Sequence, residues 1–329
     1  MKLSIVILCW NDREVIRNCL RSIYTGTHRT DFEIIVPVNG SADGSVEFIR
    51  QNYPEVRLID NGANLGFSKG NNVGIRASQG ELILILNPDT IIPDGALDKW
   101  VEFIGRHPGA GAFGCRLLNP DGTFQGIPRP FPTVRGVWIG ALLLRPLVYL
   151  SKEFVSDVYV RWNGDTERVV DWACGAALMV RGELLKRLGG FDEQFVYQFE
   201  EMDLCRRIWA AGYPVLYTPE VTITHLGGQS TKEFPLPFEL EKYRNGYRYF
   251  YKYYGKRGVR SYRRALLVNL EIRRVMQWVM QWVKPCEARK KKLELLHVSA
   301  QWNRRTDPLR LVEKGEEPYF GVKRTFELT

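Results

Sequence analysis

Leu82-Ile83-Leu84-Ile85-Leu86-Asn87-Pro88-Asp89-Thr90-Ile91-Ile92-Pro93-Asp94 is the stretch on which the reading of this chain turns. The unbroken apolar run Leu82 to Leu86 suits a strand covered on both faces, an interior strand of an α/β sheet. Pro88 has no N–H to give to a ladder, so the strand stops there. Asp89 is then held at the carboxyl end of a central strand, where open α/β sheets bind their ligands. A lone carboxylate in that position either caps the following turn or serves a ligand, and the flanking sequence has to decide.

Toward the N-terminus, Leu3 to Leu8 reads as a first strand ended by Asn11-Asp12, with Val15, Ile16, Cys19, Leu20 and Ile23 following at helical spacing. Phe32 to Val38 is a second strand, closed by Asn39-Gly40-Ser41-Ala42-Asp43-Gly44-Ser45, and Val46, Phe48 and Ile49 lie on one face of the next helix. Val56 to Ile59 is a third strand. A polar, glycine-rich loop from Asn61 to Asn72 leads into a helix through Val73, Ile75 and Ala77. Strand, loop and helix recurring in this order predict a doubly wound α/β sheet whose strand-end loops meet along one edge. The loops around Asn11, Asn39 and Asn64 therefore converge near Asp89. Glycine lets a backbone approach a diphosphate closely, so these loops are candidates for a nucleotide pocket, although neither the G-x-G-x-x-G nor the Walker spacing occurs.

Beyond Asp94 the pattern changes. Ala110 to Cys115 reads as a strand, and residues 118–162 as a Pro-, Gly- and Arg-rich excursion with an interfacial helix near 140–150. Asp171 to Arg181 begins polar and ends as an apolar strand, and Gly189-Gly190 stops the helix that follows. Glu200, Glu201 and Asp203 crowd the first turn of a helix whose buried face carries Leu204 and Ile208. The helix dipole alone favours acids there, but three of them beside a run of aromatics also mark a site. Val221 to His225 is a late strand, and His225 stands at its end before Gly227-Gly228, either as a structural histidine or as a metal ligand.

The chain has 329 residues and a net charge of +9, much of it after residue 240. That basic tail contains no recognisable nucleic-acid module, so nucleic acid is not an expected partner. Six scattered cysteines without a C-x-x-C pair argue against a structural zinc site and a disulfide framework. The N-terminal apolar stretch is short and lacks a cleavage site, which reads as a first strand in a cytoplasmic protein. No stretch reaches the ~18 continuous apolar residues of a membrane span.

Taken together, these segments resemble the inverting family 2 glycosyltransferases of GT-A fold, rhamnosyltransferase branch. The matching segments are Ser4 to Ile7 with Asn11, Val38 to Ser45, Asn64-Leu65-Gly66-Phe67, Asn71 to Ile75 and Leu86 to Thr90. Further along they are Asp171-Trp172 with Gly175-Ala176, Gly189 to Glu193, Phe199 to Cys205, and His225. The likeness covers residues 1 to about 230, and places a transferase domain at 1–235 and a separate helical region at 236–329. It implies that Asp89, in the place of a D-x-D-type motif, holds Mg²⁺ or Mn²⁺ on the diphosphate of a nucleotide sugar, with His225 completing the metal shell. It implies that Trp10, Asn11, Glu14, Asn39, Asn64, Gly66, Lys69, Asn72 and Asn87 line the nucleotide and donor sugar. Glu201 stands where the family has its catalytic base, with Glu200 and Asp203 as the other candidates. Trp172, Gly175 and Asp192 are implied on the side of a polysaccharide or lipid-linked acceptor. Two departures stand out. Val38 occupies a position commonly held by a base-contacting aspartate, which leaves the nucleotide open, and Glu201 replaces the usual aspartate. Both keep a second reading alive, a binding or scaffold protein on a degenerate transferase fold.

From Lys242 to Trp282 the sequence is helical and unusually aromatic, with Arg and Lys interleaved. One expectation is a peripheral contact with the inner membrane face, and the other is packing on the protein itself or in a homo-oligomer.

Overall fold

The computed structural model describes residues 1–126, 128, 130–144, 162–227 and 235–314. The first unit comprises residues 1–131 and 162–227, and the second residues 132–144 and 235–314.

The first unit is a mixed sheet. Strands β1 (Leu3–Ile7), β2 (Phe32–Val38), β3 (Arg57–Asp60) and β4 (Leu82–Leu86) run parallel in the order β3-β2-β1-β4. The sheet continues through β8 (Ala177–Arg181), antiparallel to β4, then β6 (Ala112–Leu118), β9 (Val215–His225) and β5 (Thr90–Ile91), with β7 (Arg168–Val170) also on β9. β4 is therefore interior, as its apolar run predicts, and all five of its residues are buried.

The alternation of strand side chains supplies two cores. Leu3, Ile5 and Ile7 of β1 and Leu82, Leu84 and Leu86 of β4 share one face. Against it pack Ile16, Cys19, Leu20 and Ile23 of α1 (Arg13–Gly26), and Leu97, Trp100 and Phe103 of α4 (Ala96–Gly105). α2 (Ser45–Asn52) adds Ile49 to the same cluster. The other face carries α3 (Phe67–Ala77), whose Gly74 comes so close that a Cβ there would stand 2.5 Å from Val6 and 2.9 Å from Pro37.

Two structural features position the later acids. The short helix α6 (Gly182–Arg187) follows β8 directly and ends at Gly189-Gly190, both at positive φ. The helix α7 (Glu200–Ala210) then begins after two consecutive non-glycine residues in left-handed backbone, Gln198 (φ 63°) and Phe199 (φ 71°). Each such residue costs about 1–2 kcal/mol, so the packing around this corner over-determines its shape.

The second unit is helical: α5 (Val134–Ala141), α8 (Pro235–Val283), α9 (Glu287–Arg305) and α10 (Pro308–Lys314). α8 is two arms, broken at Gly255 (φ 62°, ψ −164°). The rings of Tyr247 and Tyr262 lie 5.4 Å apart across this break. A continuous helix would separate those positions by about 22 Å, so the chain folds back on itself at Gly255. Tyr243, Tyr247, Tyr249 and Phe250 are buried, with Phe250 stacked on Tyr262 at 4.6 Å, and the Tyr247 hydroxyl donates to Asn303 at 2.7 Å. The aromatic run thus divides. Its first half forms the core of this unit, and only Val275 to Val283 lies exposed. Of the interfacial helix expected near 140–150, only residues 140 and 141 are helical, as the end of α5; residues 142 and 143 form a turn, and 145–150 lie outside the described residues. No helix among the described residues is long and apolar enough to cross a membrane.

Candidate active site

The three polar loops converge as the strand order requires. Asn11 donates its N–H to Ser41 Oγ at 3.0 Å, and its side chain accepts from the Ala42 N–H at 2.8 Å. Asp43 accepts from the Arg13 N–H at 2.8 Å, which ties the loop after β1 to the loop after β2. Hydrogen bonds from Ser45 and Arg13 outweigh burial and hold the Asp43 carboxyl below its ordinary range. Asn39, buried, donates to Asn64 at 3.2 Å and to the Gly66 carbonyl at 3.1 Å, and accepts from Asn61 at 2.8 Å. One amide thus binds the second loop to the third. Trp10 reaches the same corner through its N–H, which donates to Asp12 at 3.1 Å.

The loop expected to run to Asn72 is helical from Phe67 onward, and this start of α3, with Gly66 before it, also holds a distant segment. Asn72 donates to the Phe191 carbonyl at 2.9 Å and to Glu193 at 3.1 Å, and accepts from the Phe191 N–H at 2.8 Å. Gly66 (φ 80°) lies against Val196, where a Cβ would stand 2.6 Å from its Cγ1. Asn72 and Gly66 therefore act on the 190–196 segment. Lys69 and Glu14 are exposed, Glu14 paired with Arg17, and Asp192 closes its own turn by accepting from the Gln194 N–H at 3.1 Å.

Asp89 and His225 meet although they are far apart in sequence. β5 pairs with β9 in the register Thr90↔His225, and Asp89 Oδ1 lies 3.2 Å from His225 Nε2. Asn87 Nδ2 is 3.5 Å from the same nitrogen. Gln125, which nothing in the sequence singled out, determines the state of this imidazole. Its Nε2 donates to the His225 carbonyl at 2.9 Å, an acceptor that fixes the orientation of the amide. Its Oε1 must then accept from His225 Nδ1 at 2.7 Å. With Nδ1 carrying the proton, the Nε2 lone pair faces the Asp89 carboxylate. Two acceptors directed at each other need a proton or a cation between them.

The acids of α7 come to the same edge of the sheet. β4 pairs with β8 so that Leu86 faces Ala177, and the Asn87 N–H donates to the Ala176 carbonyl at 2.9 Å. Residues 174–176 therefore run beside Asn87. Gly175 in turn faces Glu201, because a Cβ there would lie 3.4 Å from Glu201 Cβ and 3.9 Å from its Cδ. Cys174, also missed in the sequence, shows the same grouping from its thiol. Solvent reaches it, yet enough protein surrounds it for desolvation to push it up to about 12, and Glu201, Glu200 and Asp89 all add to the rise.

The acids of α7 differ in their surroundings. Glu200 is raised well above the ordinary carboxylate range by burial and then by the charge of Glu201. Glu201 is raised by burial to about 7, against which the backbone N–H groups of the helix start work in the opposite direction. One Oε2 atom on each is buried without a hydrogen-bond partner. Asp203 is different: fully buried, it pairs with Arg207 at 2.8 Å, and Arg207 also donates to the carbonyls of Leu188 at 3.0 Å and Gly190 at 2.8 Å. Asp203 thus ties the start of α7 to the Gly189-Gly190 turn. Trp172 gives its indole N–H to the Pro130 carbonyl at 3.2 Å, and Asp171 accepts from the Phe131 N–H at 2.7 Å. The structure thus brings Asp89, His225, Asn87, Gly175, Glu200 and Glu201 to one edge, with Trp172 anchoring the adjoining segment.

The sequence profile of the glycosyltransferase-like family 2 matches residues 2–244. The chain belongs to that family. A relative from Mycobacterium tuberculosis, N-acetylglucosaminyl-diphospho-decaprenol L-rhamnosyltransferase, is 29% identical over 246 residues, covering 71% of this chain and 78% of that protein. Rhamnosyltransferase WbbL of Escherichia coli K12 is 25% identical over 194 residues, covering 56% of this chain and 70% of the relative. Among solved structures, the mannosyltransferase PcManGT from Pyrobaculum calidifontis, in complex with GDP-Man and Mn²⁺, superposes with a TM-score of 0.55 at 16% identity, over 92% of this chain and 87% of that one. The fold of this family 2 glycosyltransferase is GT-A, with C-terminal helices appended.

Proposed function

We propose that this glycosyltransferase moves a sugar, rhamnose foremost, from a nucleoside diphosphate donor to a lipid-linked or polysaccharide acceptor with inversion at the anomeric carbon. The two relatives described above are rhamnosyltransferases, and the Mycobacterium tuberculosis protein's name specifies a diphospho-decaprenol acceptor. The observation that carries the reading is the strip Cys174-Gly175-Ala176, which runs between the Asp89–His225 pair and Glu201.

The donor set at that pair fits a divalent cation. It offers one carboxylate oxygen and one imidazole lone pair that Gln125 keeps directed at it, a combination that suits Mn²⁺ or Mg²⁺ and favours Mn²⁺. No group of three or more His, Cys, Asp or Glu side chains placed to hold a metal ion occurs among the described residues, so the phosphate oxygens of the donor and water would have to supply the remaining ligands. A cation bound there offsets the charge that builds on the departing diphosphate.

Glu201 serves as the base. Burial and the charge of Glu201 push Glu200 well above the ordinary carboxylate range, while Glu201 is raised to about 7, which suits it to accept a proton near neutral pH. It takes the acceptor hydroxyl's proton as that oxygen attacks the anomeric carbon and the bond to the diphosphate oxygen breaks. One base suffices for a single displacement, and the sugar leaves inverted. The loops at Asn11, Asn39 and Asn64, with Asn87, hold the nucleotide and sugar so that the two reactants meet in line.

A panel of nucleotide sugars, offered with and without Mn²⁺ together with a polyprenyl-diphosphate-linked acceptor, tests the proposal. Transfer with one donor, abolished in Asp89→Ala and Glu201→Gln, supports it. Folded protein that transfers from none of the donors, or retains its rate in both variants, refutes it.

A further inference from the structure

The C-terminal arm of α8 ends in an apolar surface that its own unit leaves uncovered. Val275, Met276, Trp278, Val279, Met280, Trp282 and Val283 are all exposed, Trp278 by 64% and Trp282 by 80%. At 100° per residue these seven side chains occupy roughly 200° of the helix circumference. The remaining arc carries Arg273, Arg274, Gln277, Gln281 and Lys284. No acid occurs between Glu271 and Glu287, and Arg289, Lys290, Lys291 and Lys292 open the next helix. α9 does not close over the stripe: a groove of about 470 Å³ lies between the helices, lined by Arg274, Val275, Trp278, Leu293, Glu294 and His297. The exposed Leu142, Leu143 and Leu144 follow the end of α5, and Asn269 of α8 donates to the Gly140 and Ala141 carbonyls at 3.4 and 3.3 Å. Asn269 shares a helix face with Met276 and Met280.

We infer that this surface docks on an anionic lipid bilayer, with Trp278 and Trp282 immersed at the headgroup level and the flanking cations on the lipid phosphates. Tryptophan belongs at that depth because its ring is apolar and its N–H needs a polar partner. The clustered Arg and Lys residues meet the negative surface potential of such a leaflet. A second copy of the chain is the weaker occupant, since a symmetric contact would bring two like sets of cations together. The inference rests on the composition and exposure of α8 and α9, and is independent of the chemistry proposed for Asp89 and Glu201.

Flotation of the full chain with vesicles of phosphatidylcholine alone, or mixed with phosphatidylglycerol, tests it. Binding is expected only with the anionic lipid, and it should fall as salt rises. Trp278→Glu and Trp282→Glu should each weaken it at least roughly tenfold, and Lys290→Gln or Lys291→Gln about fivefold each. A thermal melt identical to wild type shows that each variant is folded. Absence of binding by the folded wild type at low salt overturns the inference. So does binding unchanged in the double tryptophan variant, or a dimer in solution that Trp278→Glu dissociates while vesicle binding is nil.

Discussion

Replacing Glu201 by glutamine should make the protein more stable at alkaline pH while removing its activity. The Glu201 carboxyl ordinarily titrates at 4.5, and burial raises it to about 7. Below pH 4.5 the folded and unfolded chains both hold the proton, so no penalty arises. Between 4.5 and about 7 the unfolded chain has released it and the folded chain has not, so stability falls as pH rises. Above about 7 the folded protein carries the full cost of a buried charge. The interval from 4.5 to about 7 converts to about 3 kcal/mol. Glu201 keeps part of its surface in solvent, so about 1–3 kcal/mol is the expected gain. Glutamine cannot ionise and escapes this cost, so Glu201→Gln should melt a few degrees above wild type at pH 8 and with it near pH 4.5. Loss of a general base should lower transfer about 10²- to 10⁴-fold. Differential scanning calorimetry across pH, beside a transfer assay at each point, makes the comparison. Equal melting temperatures at every pH, or wild-type transfer by the variant, would falsify the assignment.

Four further outcomes are expected. The wild-type kcat/KM should rise with pH and level off above about 7, as Glu201 loses its proton; a flat profile between pH 5 and 8 removes Glu201 as base. Gln125→Leu frees the His225 ring, and should weaken Mn²⁺ binding about 10- to 100-fold by isothermal titration in the presence of nucleotide, with the fold unchanged. Arg207→Met removes the guanidinium that pairs with buried Asp203 and bonds the Leu188 and Gly190 carbonyls, and should destabilise by about 3–5 kcal/mol in urea titration. Gly66→Ala forces a Cβ to 2.6 Å from Val196 in a positive-φ backbone, and should cost about 1–3 kcal/mol, partly recovered by adding Val196→Ala.

Local sequence was enough for the parallel half of the sheet. A solid apolar run cannot remain half in solvent, so Leu82 to Leu86 had to be interior, and the strand-loop-helix succession left few ways to arrange its neighbours. Proline at 88 fixed where that strand ends, and hence the place of Asp89. The acids of α7 were legible for the same kind of reason, as a charged first turn on an otherwise apolar helical face. Periodicity could not show which of these acids is held by another side chain. Asp203 and Glu201 are two residues apart, but the 100° step of the helix turns one toward Arg207 and the other toward Gly175.

Pairings across long chain separations were decided by tertiary structure alone. Gln125 stands in a proline- and glycine-rich stretch without periodicity, and its hold on His225 exists only because the segment after β6 passes the end of β9. Cys174 looked like any small apolar residue until β8 paired with β4 and brought it beside three carboxylates. The C-terminal aromatics make the same point. Sequence set them at helical spacing among cations, yet the reversal at Gly255 decided that Tyr247 and Phe250 would pack inside against Tyr262 while Trp278 and Trp282 remained outside. Apolar patterning determines which side chains must leave water. Only the closing of the chain on itself determines which others they meet.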